Sequence, residues 1–262
     1  MAKFCPLFSG SSGNSTYIGN GKDSILIDLG VSARAVEKAL FDIGVDADAI
    51  NAVFVTHEHI DHFKGIKVFS KKHKCKFYMT QGTYEGLEEK ECLDYADVEI
   101  IDEKGTQIGD MLIQNFPTSH DTLEPCGYTV NIANGRKISI ATDLGIVTKE
   151  VTDAIKGSDL VLLESNHDIN MLQNGGYTYA LKRRILGVKG HLSNDTCAET
   201  ARMLVENGTT RLILGHLSRD NNTPEIAYAT THDLLQNAGM DEGSDYLIRV
   251  AKPQWDEKAI IL

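Results

Sequence analysis

The chain has 262 residues, of which 42% are hydrophobic and 24% charged, and it carries a formal net charge of −11. That is enough apolar material for one large core or two small ones, in the proportions of a soluble globular protein. It excludes a membrane-spanning segment, since no apolar run approaches the roughly 20 residues required, and it argues against a broad, nonspecific nucleic-acid coat, which needs a basic footprint.

Taken in order, residues 4–8 and 15–18 read as strands joined by the small-residue loop Ser9 to Asn14. Loops of this kind let backbone N–H groups approach an anion, so Ser11 and Ser12 are candidate substrate contacts. The N-terminal apolar stretch is too short for a signal-peptide core. Ser24 to Ile27 is a strand ending in Asp28-Leu29-Gly30. Ser32 caps a helix with Val36, Ala39, Leu40 and Ile43 at helical spacing. The apolar run Ala52 to Val55 is a short buried strand. Directly after it stands Thr56-His57-Glu58-His59-Ile60-Asp61-His62, three histidines and an aspartate within six residues. A helix over residues 63–74 follows. Imidazole and carboxylate at a strand-to-helix turn suit zinc, manganese or iron. His57 and His59 can point one way from the extended end, while Asp61 and His62 can face a second point, so one motif can feed two ions.

Farther on, residues 77–79 read as a strand and 84–92 as a helix. Residues 98–101, 107–108 and 111–116 read as strands, and His120 stands just past the last of them. Residues 128–132 and 137–141 form a hairpin with Asn134-Gly135 as its turn. Its second arm ends in Thr142-Asp143-Leu144-Gly145, another strand-end carboxylate. The apolar strand 159–163 leads into Glu164-Ser165-Asn166-His167-Asp168. A basic helix covers 178–186, and His191 follows on a loop. Ser193 caps a helix to Val205, stopped by Asn207-Gly208. Strand 211–214 delivers His216. Thr223-Pro224 opens the last helix and Gly239 closes it. Residues 246–251 and 259–262 read as edge strands. Two basic clusters flank these motifs. Lys64, Lys67, Lys71, Lys72, His73, Lys74 and Lys76 follow the histidine motif, and Lys182, Arg183, Arg184 and Lys189 precede His191. They read either as solvated helix faces or as a local phosphate-binding rim. The five cysteines, Cys5, Cys75, Cys92, Cys126 and Cys197, are odd in number and form no C-x-x-C pair. They are expected to be reduced thiols in a cytoplasmic protein.

His-x-His-x-Asp-His after an apolar strand resembles the signature of the metallo-β-lactamase superfamily. Ser9 to Ser15, Glu164 to Asp168, Gly190-His191-Leu192-Ser193-Asn194 and Leu214-Gly215-His216-Leu217-Ser218-Arg219 extend the resemblance to its YycJ/WalJ-type metallohydrolases. The resemblance implies an α/β fold, the four-layer αββα sandwich, with a dinuclear metal site at one edge. It implies a single domain over 1–262 with no room for a β-CASP insertion. It assigns His57, His59 and His120 to one divalent ion and Asp61, His62 and His216 to a second. Asp143 bridges them and Asp28 orients a ligating histidine from behind. The ions would be zinc or manganese, with iron also compatible. A metal-bridging hydroxide would attack a scissile phosphate with Asp61 and Asp143 at the ions, and His191 would protonate the leaving oxygen or bind the phosphate. Asn166 and His167, not needed as ligands, are candidate substrate contacts or members of a structural hydrogen-bond cluster.

The subgroup implies a 5′-to-3′ exonuclease, on DNA rather than RNA, with a place in DNA repair and no membrane partner. A small-molecule hydrolase of the same fold, acting on a thioester, lactone or cyclic phosphodiester, is the first alternative and fits the net charge. A non-catalytic regulatory protein is the second. It sits poorly with seven filled ligand positions, because such proteins tend to lose ligands.

Overall fold

Short strands and helices alternate along the chain because apolar runs of four to seven residues are punctuated by Gly, Asn, Ser and Thr at almost every turn. The computed structural model describes residues 1–102 and 104–262. It contains two seven-stranded sheets and divides into two compact units. The first unit comprises residues 1–115, 122–136 and 252–262, and the second residues 116–121 and 137–251.

In the first unit one sheet has the order β14-β1-β2-β3-β4-β5-β6. Its strands are β1 (Lys3–Phe8), β2 (Ser15–Gly19), β3 (Ser24–Ile27), β4 (Ala52–Phe54), β5 (Lys76–Met79), β6 (Asp97–Ile100) and β14 (Ile260–Ile261). The β14-β1-β2-β3 pairs are antiparallel and the β3-β4-β5-β6 pairs parallel. The parallel part needs crossovers, supplied by α1 (Ala33–Asp42), by α2 (Ile60–Phe63) with α3 (Ile66–Lys72), and by α4 (Gln81–Glu88). Val36, Leu40, Val53, Phe69, Phe77 and Trp255 lie in its core. This unit also holds β7 (Thr106–Ile108), the start of β8 (Met111–Pro117) and β9 (Cys126–Ile132).

In the second unit β10 (Lys137–Ala141), β11 (Leu160–Glu164), β12 (Arg211–Gly215) and β13 (Leu247–Val250) pair in parallel in that order. The helices are α5 (Lys149–Ile155), α6 (Ile169–Asn174), α7 (Tyr179–Ile185), α8 (Asn194–Glu206) and α9 (Pro224–Asn237). Leu163, Leu204, Leu214, Leu235 and Tyr246 lie in its core. No helix among the described residues is long and apolar enough to cross a membrane.

The caps fall where expected. Ser32 accepts from the Ala35 N–H, Ser193 from Thr196 and Thr223 from Ile226, with Pro224 in the first turn. Three elements differ from expectation. The helix anticipated over 63–74 is broken between α2 and α3, because the chain at Gly65 presses against another loop. The Gly65 N–H donates to Leu29 O at 2.7 Å, and a Cβ there would lie 2.4 Å from Val31 O. Helix α4 runs from Gln81 to Glu88 instead of 84–92, since Thr80 caps it by accepting from Thr83. Helix α6 was not anticipated. Asp168, taken as part of a polar cluster, is its cap and accepts from the Met171 N–H at 2.7 Å.

Candidate metal centre

In the first unit the histidine motif leaves the end of β4 and is anchored by the end of β3. Asp28 is buried and adopts φ 64°, a left-handed conformation uncommon outside glycine. Its carboxylate accepts from the Thr56 N–H at 2.8 Å, the Thr56 hydroxyl at 2.9 Å and His62 Nδ1 at 2.7 Å. With its one proton given to Asp28, the Thr56 oxygen accepts from His57 Nδ1 at 3.0 Å. Both imidazoles are therefore held as Nδ1–H tautomers with the lone pair on Nε2, the form a metal requires.

Asn14 reads the same tautomer from the other side. Its Oδ1 accepts from the Gly10 N–H at 2.9 Å, which fixes the amide orientation and turns Nδ2 toward His62 Nε2 at 3.0 Å. The backbone of Asn14 is bound too, its N–H to Asp61 O at 2.8 Å and its carbonyl to Gly30 N–H at 2.7 Å. The rings of His57 and His62 are 4.0 Å apart and those of His57 and His59 4.8 Å. His57 and His62 are buried, while His59 and Asp61 are half-buried. Glu58, between the first two histidines, turns away from them and accepts from the Leu123 N–H at 2.8 Å. Ser11 and Ser12 lie exposed at the tip of the small-residue loop.

In the second unit the organising group is Glu164, the last residue of β11 and fully buried. One oxygen accepts from His191 Nδ1 at 2.7 Å and His216 Nδ1 at 2.8 Å. The other accepts from the N–H of Leu144 at 2.7 Å and of Leu192 at 3.3 Å. Burial alone would push this carboxyl up. The charge of His191 and the hydrogen bonds from both histidines outweigh it and hold the group well below the usual carboxylate range. At Asp28, with a single histidine, burial prevails and the carboxyl is raised.

Asp143 and His216, at the ends of β10 and β12, are buried and left-handed at φ 59° and 55°. Asp143, Glu164, His191 and His216 each offer a ligand atom within 4.8 Å of the others. His120 Nδ1 donates to Gly190 O at 3.1 Å, so its Nε2 carries the lone pair, 3.7 Å from Asp143 Oδ1. Burial lowers the His120 pKa and keeps the ring neutral, against the pull of Asp143.

Asn166 and His167 are both buried. Asn166 Nδ2 donates to His216 O at 2.9 Å, and its carbonyl accepts from Ser218 and Asn222, so it braces the left-handed turn at His216. His167 has no hydrogen-bond partner at either ring nitrogen among the described residues, and burial lowers its pKa to about 4. The basic clusters are largely committed. Lys67, Lys72 and Lys76 pair with Asp94, Glu37 and Glu99. Lys182 donates to the carbonyls of Gln173 and Gly175, and Arg184 forms a two-pronged pair with Asp121.

Glu164, Thr56 and Asn14 are functional positions that the motif analysis left without a role. Glu164 carried a usable signal, since it ends an apolar strand as Asp28 and Asp143 do. Asn14 carried none beyond its loop. The donor set suits a divalent metal. Five histidines, His57, His62, His120, His191 and His216, have Nδ1 engaged by an oxygen of the protein and so direct Nε2 outward.

The family model for the β-lactamase superfamily domain matches residues 23–217. The chain is 33% identical over 255 residues to the exodeoxyribonuclease WalJ of Streptococcus pneumoniae serotype 2 (strain D39 / NCTC 7466), covering 96% of this chain and 94% of that one. It is 33% identical over 257 residues to the exodeoxyribonuclease YycJ of Bacillus anthracis, covering 97% of each. Among solved structures it resembles the metallo-β-lactamase fold protein YhfI from Bacillus subtilis, with a TM-score of 0.71 at 14% identity over 97% of this chain and 98% of that one. The expected fold class is thus the one found, and by sequence and by fold alike the chain belongs to the metallo-β-lactamase superfamily.

Proposed function

We propose that this protein is a divalent-metal-dependent phosphodiesterase whose reaction is the 5′-to-3′ exonucleolytic cleavage of DNA. The observation that carries this reading is the likeness, over nearly the whole chain, to two proteins named exodeoxyribonucleases. Residues 1–262 would act as a single catalytic domain. His57, His59 and His120 would hold one ion, Asp61, His62 and His216 a second, with Asp143 shared between them. The ions, zinc or manganese, would supply an ionisable water and positive charge for the nonbridging phosphate oxygens.

The chain's own groups do the rest. Asp28, Thr56 and Glu164 fix the tautomers of the ligating histidines. Asn166 holds the His216 turn. His191 works from Nε2, where it hydrogen-bonds the phosphate or passes a proton to the leaving oxygen, while Glu164 at Nδ1 stabilises the imidazolium form. Ser11 and Ser12 would meet the substrate from the loop tip.

One observation favours a second reading, hydrolysis of a small thioester, lactone or cyclic phosphodiester. The net charge is −11, and the lysines after the histidine motif are largely tied to carboxylates. The two readings separate on end-labelled single- and double-stranded DNA and RNA, using metal-stripped protein reloaded with manganese or zinc. Mononucleotide release from the 5′ end of DNA is expected. Metal-loaded protein that cleaves neither nucleic acid but hydrolyses a thioester would install the second reading. His191→Ala should keep its metal and lose on the order of 10²–10⁴-fold in cleavage rate. Cleavage at the wild-type rate would remove His191 from the mechanism.

A further inference from the structure

The chain carries 37 acidic residues, yet between Asp168 and Asp195 it has none, while Lys182, Arg183, Arg184 and Lys189 all fall there. This stretch contains α7 and the loop that delivers His191. It also presents large apolar side chains to solvent. Tyr179 is 77% exposed and Val188 65%, with Leu186 exposed between them. Scattered surface apolar residues need no explanation, but here a basic aromatic cluster sits on one short, carboxylate-free segment. The Arg183 guanidinium lies over the Tyr179 ring, 5.8 Å from its centroid. A stacked arginine holds the ring and leaves its outer face open to a second planar group.

The segment is fastened at its start to the preceding loop and at its end to the residues around His120. Lys182 ties the helix to the carbonyls of Gln173 and Gly175, and Arg184 is bound to Asp121, the neighbour of His120. The Val188 carbonyl accepts from the Ser119 hydroxyl, and the Gly190 carbonyl from His120 Nδ1 at 3.1 Å. Gly145, two residues after Asp143, admits this loop because it lacks a side chain; a Cβ there would lie 2.2 Å from Val188 O. Tyr179 therefore stands at the start of a helix that is tied, through Arg184 near its other end, to the neighbour of His120.

We propose that Tyr179 stacks on a base of the single-stranded nucleic-acid end entering the site, with Arg183 and Lys189 meeting adjacent phosphates. The inference rests on the nuclease reading above. Aromatic stacking suits an exonuclease that meets every sequence in turn, because every base has a π-face and grip does not depend on sequence. Arg183 and Lys189, on a segment with no acidic residue of its own, supply the positive charge that an acidic protein otherwise lacks.

The test uses the metal-loaded, full-length protein on a 5′-labelled single-stranded oligonucleotide, and on bis(p-nitrophenyl) phosphate, which has no base. Tyr179→Ala should raise KM for the oligonucleotide about tenfold and leave hydrolysis of the small diester unchanged. Tyr179→Phe and Tyr179→Trp should restore KM. An oligonucleotide with abasic residues at its 5′ end should show the same loss with the wild-type protein, and no further loss with Tyr179→Ala. Wild-type cleavage of the oligonucleotide with unchanged KM in Tyr179→Ala would overturn the stacking role and leave the nuclease reading standing. A wild-type protein that hydrolyses the diester but neither cuts nor binds oligonucleotides would overturn both.

Discussion

Each unit carries the same device, a buried carboxylate at a strand end holding imidazole Nδ1–H groups, yet the two tune it in opposite directions. Asp28 receives one imidazole, one hydroxyl and one backbone N–H, and its carboxyl is raised by burial. Glu164 receives two imidazoles and two backbone N–H groups, and its carboxyl is lowered despite complete burial. What decides the sign is the number of donors and positive charges converging on the carboxylate, not the depth of burial. Glu164 is the stabilising keystone of its unit. Asp28 is a costly group retained because it sets a tautomer.

The comparison breaks most visibly at Glu164. Glu164→Gln can still accept from the two histidines but must point an NH2 at the N–H groups of Leu144 and Leu192. Two unsatisfied buried donors should cost about 2–5 kcal/mol in urea unfolding. A loss within error would mean that the carboxylate is not the anchor of the second unit. The next effect is acid sensitivity. His167 titrates near 4 in the fold and near 6.5 unfolded. Between those values the unfolded chain takes up a proton that the folded chain refuses, so stability falls as pH drops through this window, by up to about 3 kcal/mol. Glu164, with its lowered pKa, adds to the loss as pH falls farther, whereas Asp28, with its raised pKa, opposes it. His167→Leu should flatten the decline between pH 6.5 and 4 in metal-free protein, and an unchanged profile would place the acid-labile group elsewhere.

Asp28→Asn should behave unlike Glu164→Gln. The amide still accepts from Thr56 and no longer buries a charge, so unfolding stability should hardly move. Its NH2 faces His62 Nδ1, however, and drives the ring proton to Nε2. Metal affinity should fall about 10- to 100-fold, read by calorimetric titration. Unfolding losses as large as those of Glu164→Gln would erase the distinction between the two carboxylates. The smallest effect belongs to Asn14→Ala, which removes the donor to His62 Nε2 and the acceptor for Gly10. About 1 kcal/mol of metal-free stability should be lost, and the His62 ring nitrogens should shift in the NMR spectrum. An unmoved His62 would sever the small-residue loop from the metal motif.

Much of this is legible in the sequence. Apolar runs closed by Asp28, His57, Asp143 and His216 announce functional strand ends, because a parallel strand delivers its last residue to one edge of its sheet, and His120 likewise follows a strand, though an antiparallel one. The hexapeptide made metal the natural ligand. What the sequence hid was which polar groups face the site and which brace it. Asn166 read either as a substrate contact or as part of a structural hydrogen-bond cluster, and its amide is seen to brace the turn at His216, a matter of where one amide points. The lysines after the histidine motif read either as a solvated helix face or as a phosphate-binding rim. Their partners, Asp94, Glu37 and Glu99, come from α1, from β6 and from the loop before it, a proximity that only the folded chain creates. Helix α6 escaped because a capping aspartate and a site aspartate look alike in a polar run.

Three of the strand-end residues, Asp28, Asp143 and His216, hold left-handed backbone without being glycine, a conformation that costs roughly 1–3 kcal/mol at each position. Replacement by glycine at any one of them would relax the backbone while deleting a group that the proposed metal chemistry needs. Drift toward a more stable chain therefore runs toward an inert one, and a descendant freed from selection for metal chemistry should be recognisable by Gly at residues 28, 143 or 216 on an otherwise intact fold.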